Sequence, residues 1–280
     1  MIKNLPGLLN KINPDIIEIL TSIGFITTKC DIPFFVVGAT ARDVFFSSRR
    51  STIDLDLGIQ ISSWDLFYQL IDALVKTDLF RKSDLTHRIY YIKHNYPLDI
   101  IPFGSIIDTD GLITWPNEIK MSILGFEEAF KNCYELQIET NIIRVVSPVG
   151  LAAMKIISWA DSIDRAQKDA QDLDLIFSEY YSIFNNSERI FEYPDILKFA
   201  NFDIVRSGIV LLGKDIAEIL NKNTLKKIKS IVDRETDVNS DYRLAYGMLP
   251  LRMINEPIEN KLQMLIDFKT GLCATRSRID

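Results

Sequence analysis

Hydrophobic positions along the chain change their period near residue 147. Before it, short β-branched and aromatic runs alternate with segments of helical spacing. After it, nearly every segment repeats at helical spacing. Asn13-Pro14-Asp15 is a helix-start signal, with Ile16, Ile17, Leu20 and Ile23 on one face and Gly24 as the stop. A helix is therefore predicted over 14–23. A strand over 34–37 leads through a turn at Gly38 into a short helix over 40–47. Ser48 to Arg50 reads as a connection, and 52–59 as the next strand. Ser62-Ser63-Trp64-Asp65 has the form of a capping box, followed by Trp64, Phe67, Leu70, Ile71 and Leu74, which predicts a helix over 63–76. Strands over 88–93 and 98–103 form a hairpin around His94-Asn95-Tyr96-Pro97. Residues 110–146 mix short strands and a short helix, with a second hairpin from 133–138 and 142–146. Helices are predicted over 148–160, 163–182, 190–199, 203–220, 223–233 and 258–268.

This pattern is an α/β front half, residues 1–146, followed by an all-helical back half, residues 147–280. It contains no internal repeat and no low-complexity segment. A length of 280 residues suffices for two ordinary domains, and 47% hydrophobic residues supply their cores. The net charge of −6 excludes a general polyanion binder, so a nucleic-acid substrate would need a local basic patch. Cys30, Cys133 and Cys273 have neither metal-ligand spacing nor a disulfide framework, which points to a reducing cytoplasm. Two histidines, His87 and His94, exclude a histidine-rich metal site and receive no role. Residues 1–10 hold no signal-type segment, and no run reaches transmembrane length, so no membrane partner is expected.

The candidate chemistry lies in three acids. Asp54 and Asp56 alternate along a predicted strand and so share a face, roughly 6–7 Å apart at the backbone. Asp99 is a third lone acid in an apolar strand. Acids on apolar strands are costly unless something charged binds them. A pair of divalent ions about 3.5–4 Å apart fits the spacing, and Mg²⁺ accepts carboxylate oxygens. The alternative for Asp54 and Asp56 alone is a half-exposed edge strand with its polar residues outward. At Gly38 a missing Cβ lets backbone N–H groups approach an anion at a helix start. Arg42, one turn into that helix, reaches either a phosphate or a carboxylate such as Asp43.

The order Gly-small-Thr turn, Asp-x-Asp, then a later Asp resembles the nucleotidyltransferase superfamily that includes DNA polymerase beta. The resemblance covers residues 34–104. It implies a mixed sheet flanked by helices, two Mg²⁺ ions held by Asp54, Asp56 and Asp99, and an NTP substrate whose phosphates meet Gly38, Ala39, Thr40 and Arg42. The transfer of a nucleoside monophosphate to an acceptor hydroxyl follows from it. The helical half is then a domain that closes over the nucleotide.

A second constellation sits in that half. Lys155 is the only charge in Val149-Gly150-Leu151-Ala152-Ala153-Met154-Lys155-Ile156-Ile157. Such a lysine either snorkels to the surface or faces an anion in a cleft. On the next helix Arg165, Lys168, Asp169 and Asp172 share a face by spacing, and the bland reading is a surface helix with internal ion pairs. Lys155 followed by Arg165-Ala166-Gln167-Lys168-Asp169-Ala170-Gln171-Asp172-Leu173 resembles the AbiEii/AbiGii toxin family of nucleotidyltransferases. That resemblance implies phosphate contact for Lys155, catalytic support from Asp169, an orienting Asp172, and nucleotide contacts from Arg165 and Lys168. It further implies a toxin with tRNA as acceptor and a separate antitoxin as partner. Two departures stand beside it. Ala39 replaces the serine usual in that family's turn, and Gly38-Ala39-Thr40-Ala41-Arg42-Asp43 resembles the Gly-Gly-x-x-Arg-Asp turn of tRNA CCA-adding enzymes. Other readings are an enzyme acting on a small acceptor such as an aminoglycoside, a non-catalytic NTP-binding module, and a structural α/β protein. Lys222, Lys226, Lys227 and Lys229 form a basic cluster, read as a solvated face or an RNA contact. Trp115 is read as a core or hinge residue before a base-stacking one, and Tyr90 and Tyr91 as packing residues.

Overall fold

Eight strands join in one mixed sheet whose order brings residues distant in sequence into one row. The computed structural model describes residues 3–4, 11–47, 52–138, 141–250 and 256–274. The connection predicted at 48–50 and the segment 1–10 (apart from the backbone of 3–4) lie outside the described residues. The chain divides into two compact units, residues 1–147 and 148–280.

The first unit runs β1 (Lys3–Asn4), α1 (Pro14–Lys29), β2 (Phe34–Val37), α2 (Gly38–Phe45), β3 (Leu55–Gln60), α3 (Trp64–Val75), β4 (Phe80–Lys82), β5 (Arg88–Tyr91), β6 (Tyr96–Phe103), β7 (Leu112–Thr114), β8 (Lys120–Ser122), α4 (Phe126–Lys131), β9 (Tyr134–Ile138) and β10 (Asn141–Val145). The large sheet has the order β1-β9-β10-β2-β3-β6-β5-β4, and β7 pairs only with β8. Strands β2 and β3 are antiparallel, β3 and β6 parallel, and β5 and β6 antiparallel. The α/β pattern of the sequence is thus a mixed sheet flanked by helices.

Helix α1 starts as its sequence dictates, with the Asn13 side chain accepting a hydrogen bond from the Asp15 N–H at 2.8 Å. It does not stop at Gly24. A Cβ there would meet Ile143 Cδ1 at 3.3 Å, so the glycine sits where the helix packs closely on the sheet. The stop comes later, past Cys30, where Asp31 takes φ +52°. In the core, Phe35 is fully buried and its ring lies edge-on to Phe103, Phe126 and Phe130 at 5.4, 6.1 and 5.5 Å. Its cross-strand partner is Gly58, where a Cβ would lie 2.1 Å from the Phe35 ring. Trp115 is a core residue, packed on Trp64, Phe67 and His87.

The second unit is helical: α5 (Pro148–Asp161), α6 (Ile163–Glu179), α7 (Asn186–Arg189), α8 (Pro194–Phe199), α9 (Ile204–Ile219), α10 (Lys222–Glu235), α11 (Arg243–Met248) and α12 (Ile258–Cys273). The single helix predicted over 190–199 is instead a 3-10 turn at Ile190–Glu192 followed by α8. Pro194 has no N–H to donate, so it opens a new helix rather than continuing one. Helices α6 and α12 meet through Phe177 and Phe268, stacked at 4.9 Å. No helix among the described residues is long and apolar enough to cross a membrane.

Thiol accessibility checks this placement. Cys133 is buried, its Sγ donates to the Ala129 carbonyl at 3.3 Å, and burial pushes its pKa up strongly, whereas Cys30 and Cys273 are exposed. A thiol reagent on the native protein is expected to label Cys30 and Cys273 rapidly and Cys133 only after unfolding. Peptide mapping of the labelled sites reads the result.

Candidate functional site

Asp56 and Asp99 face each other across the parallel β3–β6 pair, and Asp99 is paired in turn with Arg88 on β5. Directly paired residues on neighbouring strands project to the same face. Asp56, Asp99 and Arg88 therefore form a row across three strands, with Val37 of β2 at its other end. Phe35 and Gly58 lie two residues along on the same face, so the aromatic cluster backs the acids.

Asp54 joins the row by another route. The strand predicted from residue 52 begins only at Leu55, and Asp54 sits in the bend before it. The Thr52 hydroxyl donates to the Asp54 carbonyl at 2.9 Å and to Asp54 Oδ1 at 3.1 Å, which ties this segment into a turn. Asp54 Oδ2 still lies 3.7 Å from Arg88 Nη2.

Arg88 grips Asp99 side-on, with Nε to Oδ1 at 2.6 Å and Nη2 to Oδ2 at 2.8 Å. That pair raises the Arg88 pKa further above its ordinary value. Tyr96, the first residue of β6, feels the same acids. Burial pushes its phenol up first, and the charges of Asp54, Asp56 and Asp43 add to that, so it stays protonated. Neither residue was singled out by sequence.

Gly38 fits the turn onto this row. It takes φ +66°, a conformation open to glycine, and a Cβ there would sit 1.9 Å from Asp56 Oδ2. The start of α2 and the buried Asp56 carboxylate are packed as one piece. Among the described residues no side chain caps α2, so the first N–H groups of the helix have no intrahelical partner. Thr40 is buried, and its hydroxyl makes no hydrogen bond among the described residues. Ala39 is half-buried beside it. Arg42 is fully buried and points Nε and Nη2 at Asp43 Oδ1, both at 2.7 Å.

The donor set suits a hard divalent ion, since three carboxylates offer oxygen alone. Among the described residues, the potential ligand residues whose atoms cluster within 4.8 Å are Asp15, Glu18 and His94, not Asp54, Asp56 and Asp99. In that surface cluster Lys93 already provides a cation, its Nζ lying 2.9 and 2.7 Å from the two Glu18 oxygens. The Lys93 hydrogen bond, with that of Tyr91, holds the Glu18 pKa below the usual range.

The second unit gathers Lys155, Asp169 and Asp172. Lys155 Nζ lies 2.6 Å from Asp169 Oδ1 and 2.8 Å from Asp172 Oδ2. All three are buried, and the anions that Lys155 faces are thus internal carboxylates. Asp169 Oδ2 makes no hydrogen bond among the described residues. Arg165 and Lys168 are exposed and do not share the inward face of Asp169 and Asp172. The inward face of α6 is set by Ala170, Leu173, Ile176 and Phe177, which pull the two acids in with them.

The chain matches no protein-family model and no curated protein. Its fold is similar to that of several solved structures, each at low identity. An antigenic nucleotidyltransferase-like protein from Paracoccidioides brasiliensis is 15% identical, with 70% of this chain and 94% of that one covered and a TM-score of 0.42. ANT(2'')-Ia in complex with adenylyl-2''-tobramycin is 14% identical over 66% of this chain and 99% of that one, TM-score 0.39. The Thermotoga maritima CCA-adding enzyme complexed with tRNA is 13% identical over 95% and 82%, TM-score 0.27. At identities and scores this low, the likenesses assign no residue of this chain a role.

Two substitutions probe the local physics. Gly38→Ala forces a strained φ and a contact with Asp56, and is expected to cost about 1–3 kcal/mol. In an Asp56→Ala background the cost should be smaller, because the contacts with Asp56 Oδ2 and Cγ at 1.9 and 2.7 Å are gone, leaving the strain and the Cβ contact at 2.9 Å. A double-mutant cycle by urea unfolding measures the difference. Lys155→Met removes the ammonium that two buried carboxylates share and is expected to destabilise by about 3–5 kcal/mol. Circular dichroism through a denaturant titration reads that loss.

Proposed function

We propose that this chain is a divalent-metal-dependent nucleotidyltransferase, moving a nucleoside monophosphate from an NTP to an acceptor hydroxyl with release of pyrophosphate. The observation that carries this reading is the packing of Gly38 onto Asp56. It joins a helix start suited to phosphate and a carboxylate row suited to metal in one rigid piece.

Asp54, Asp56 and Asp99 would hold Mg²⁺, in two ions. Bound there, such ions neutralise polyphosphate charge and lower the pKa of an attacking hydroxyl. The chain's own residues do the rest. The N–H groups at Gly38, Ala39 and Thr40 bind phosphate oxygens, and the Thr40 hydroxyl takes the place of the serine absent at Ala39. Arg42 is buried against Asp43, so a direct phosphate contact from it requires the side chain to move. Asp99 orients the acceptor hydroxyl. In the helical unit, Lys155 has three protons to donate and two acids to serve. The remaining proton suits a phosphate oxygen, with Asp169 and Asp172 fixing the ammonium, and the exposed Arg165 and Lys168 add positive charge.

For the acceptor we favour tRNA, in the manner of an AbiEii-like type IV toxin acting in the cytoplasm with a separate antitoxin. The Lys155 and Arg165–Leu173 pattern supports it, as do Lys222 and Lys226, exposed on α10. Lys227 of the same cluster is paired with Asp161 at 3.1 Å. The second reading is a small acceptor of aminoglycoside type, favoured by the net charge of −6.

Incubation with each labelled NTP and Mg²⁺, with total tRNA or aminoglycosides as acceptor, tests both. Label is expected in RNA and to fall by about 10²-fold or more in Asp56→Ala, the scale on which losing one charge-stabilising group slows a reaction. Label in the aminoglycoside alone supports the second reading. NTP binding with no transfer to RNA, protein or small acceptor would overturn the catalytic one.

A further inference from the structure

We propose that Arg88 is the resident counter-ion of the carboxylate row, and that a divalent ion enters by taking Asp99 away from it. The inference rests on the reading that the row binds metal.

Three observations carry it. First, both Asp99 oxygens are engaged by one guanidinium, at 2.6 and 2.8 Å. A side-on fork uses the carboxylate edge that a metal ion would need. Second, the same guanidinium reaches Asp54 at 3.7 Å, so it spans two of the three acids. Third, the oxygens of Asp54, Asp56 and Asp99 do not cluster within 4.8 Å, although Asp56 and Asp99 are cross-strand neighbours. Asp99 is turned toward β5 by the pair it makes there.

The electrostatics explain why such a residue is present. Three carboxylates converge on the end of one sheet face, and Asp56 is buried. Without a cation the ion-free fold would carry their mutual repulsion. Arg88 supplies that cation from a fixed strand position, paired across β5–β6 to the residue it neutralises. The pair is partly open, at 25% exposure for Arg88 and 14% for Asp99. A swing of one side chain therefore frees the acid without any backbone change. Arg88 touches no substrate in this scheme; it is a positioning residue that sets how readily Asp99 joins the ion.

Calorimetric titration of the full chain with Mn²⁺ tests this in wild type, Arg88→Met, Arg88→Lys and Asp56→Ala. Arg88→Met should bind Mn²⁺ about tenfold or more tightly than wild type, the change expected when a competing charged hydrogen-bond pair is removed. Arg88→Lys keeps the charge and loses the fork, and should fall between the two. The ion-free Arg88→Met protein should melt at a lower temperature than wild type and gain more from Mn²⁺. Asp56-dependent Mn²⁺ binding that is no tighter in Arg88→Met or Arg88→Lys overturns the proposal and leaves the metal reading standing. Absence of Asp56-dependent binding in every protein overturns the metal reading itself, and this proposal with it. Circular dichroism of each variant establishes that it is folded, and Arg88→Lys carries the test if Arg88→Met is not.

Discussion

Acids gathered at one end of an apolar sheet face need a cation, and the first unit is arranged around that need. Asp56 is held below the surface by β3, Asp99 beside it by β6, and Asp54 by the Thr52 turn. The sheet cannot relieve their repulsion by moving one strand, because the row shares its face with Phe35 and its ring neighbours. Relief must come from charge. Arg88 provides it from the next strand along. The glycine turn is subject to the same constraint from the other side. Gly38 is small because Asp56 lies where its side chain would be.

The second unit solves several versions of the same problem. Asp215 is bound by Arg189 at 2.8 Å and accepts from the Tyr180 hydroxyl at 2.5 Å. Asp267 is bound by Arg206 at 2.8 Å, and Lys261 serves Asp174 and Glu256 at 2.7 and 2.8 Å. Burial raises the Asp174 pKa even so, against the lowering effect of Lys261. Except for Lys261–Glu256, these pairs join helices distant in sequence, which is what buried ions do for register at a cost in desolvation. Lys155 with Asp169 and Asp172 belongs to that set by geometry, fastening α5 to α6.

Much of this was legible in the chain because it depends on local pattern. The start of α1 at Pro14, the Gly38 turn and the order of Asp54, Asp56 and Asp99 are properties of a few neighbouring residues. Arg88 was illegible because its meaning depends on register. A hairpin turning over 94–97 would set Arg88 opposite Phe103. The actual turn occupies 92–95, with Asn95 at φ +49°, and the pairing slides until Arg88 meets Asp99. A turn displaced by two residues moves every partner by four, and one-sequence patterning does not fix turns that finely. The length of α1 was missed for a related reason. Gly24 weakens a helix in isolation, yet tertiary contact with Ile143 gives the missing side chain a use.

Access separates the two candidate clusters. In the Lys155 cluster the side chains are only 8%, 1% and 4% exposed, which leaves an ion little access to them. In the Arg88 cluster Arg88, Asp54 and Asp99 are 25%, 31% and 14% exposed. Negative charge held that deep depends on its fixed partners. Negative charge nearer the surface can trade one cation for another at the cost of a side-chain rotation. The carboxylate row is the second kind, and this is the physical ground for placing ion exchange there. The sealed triad holds α5 to α6.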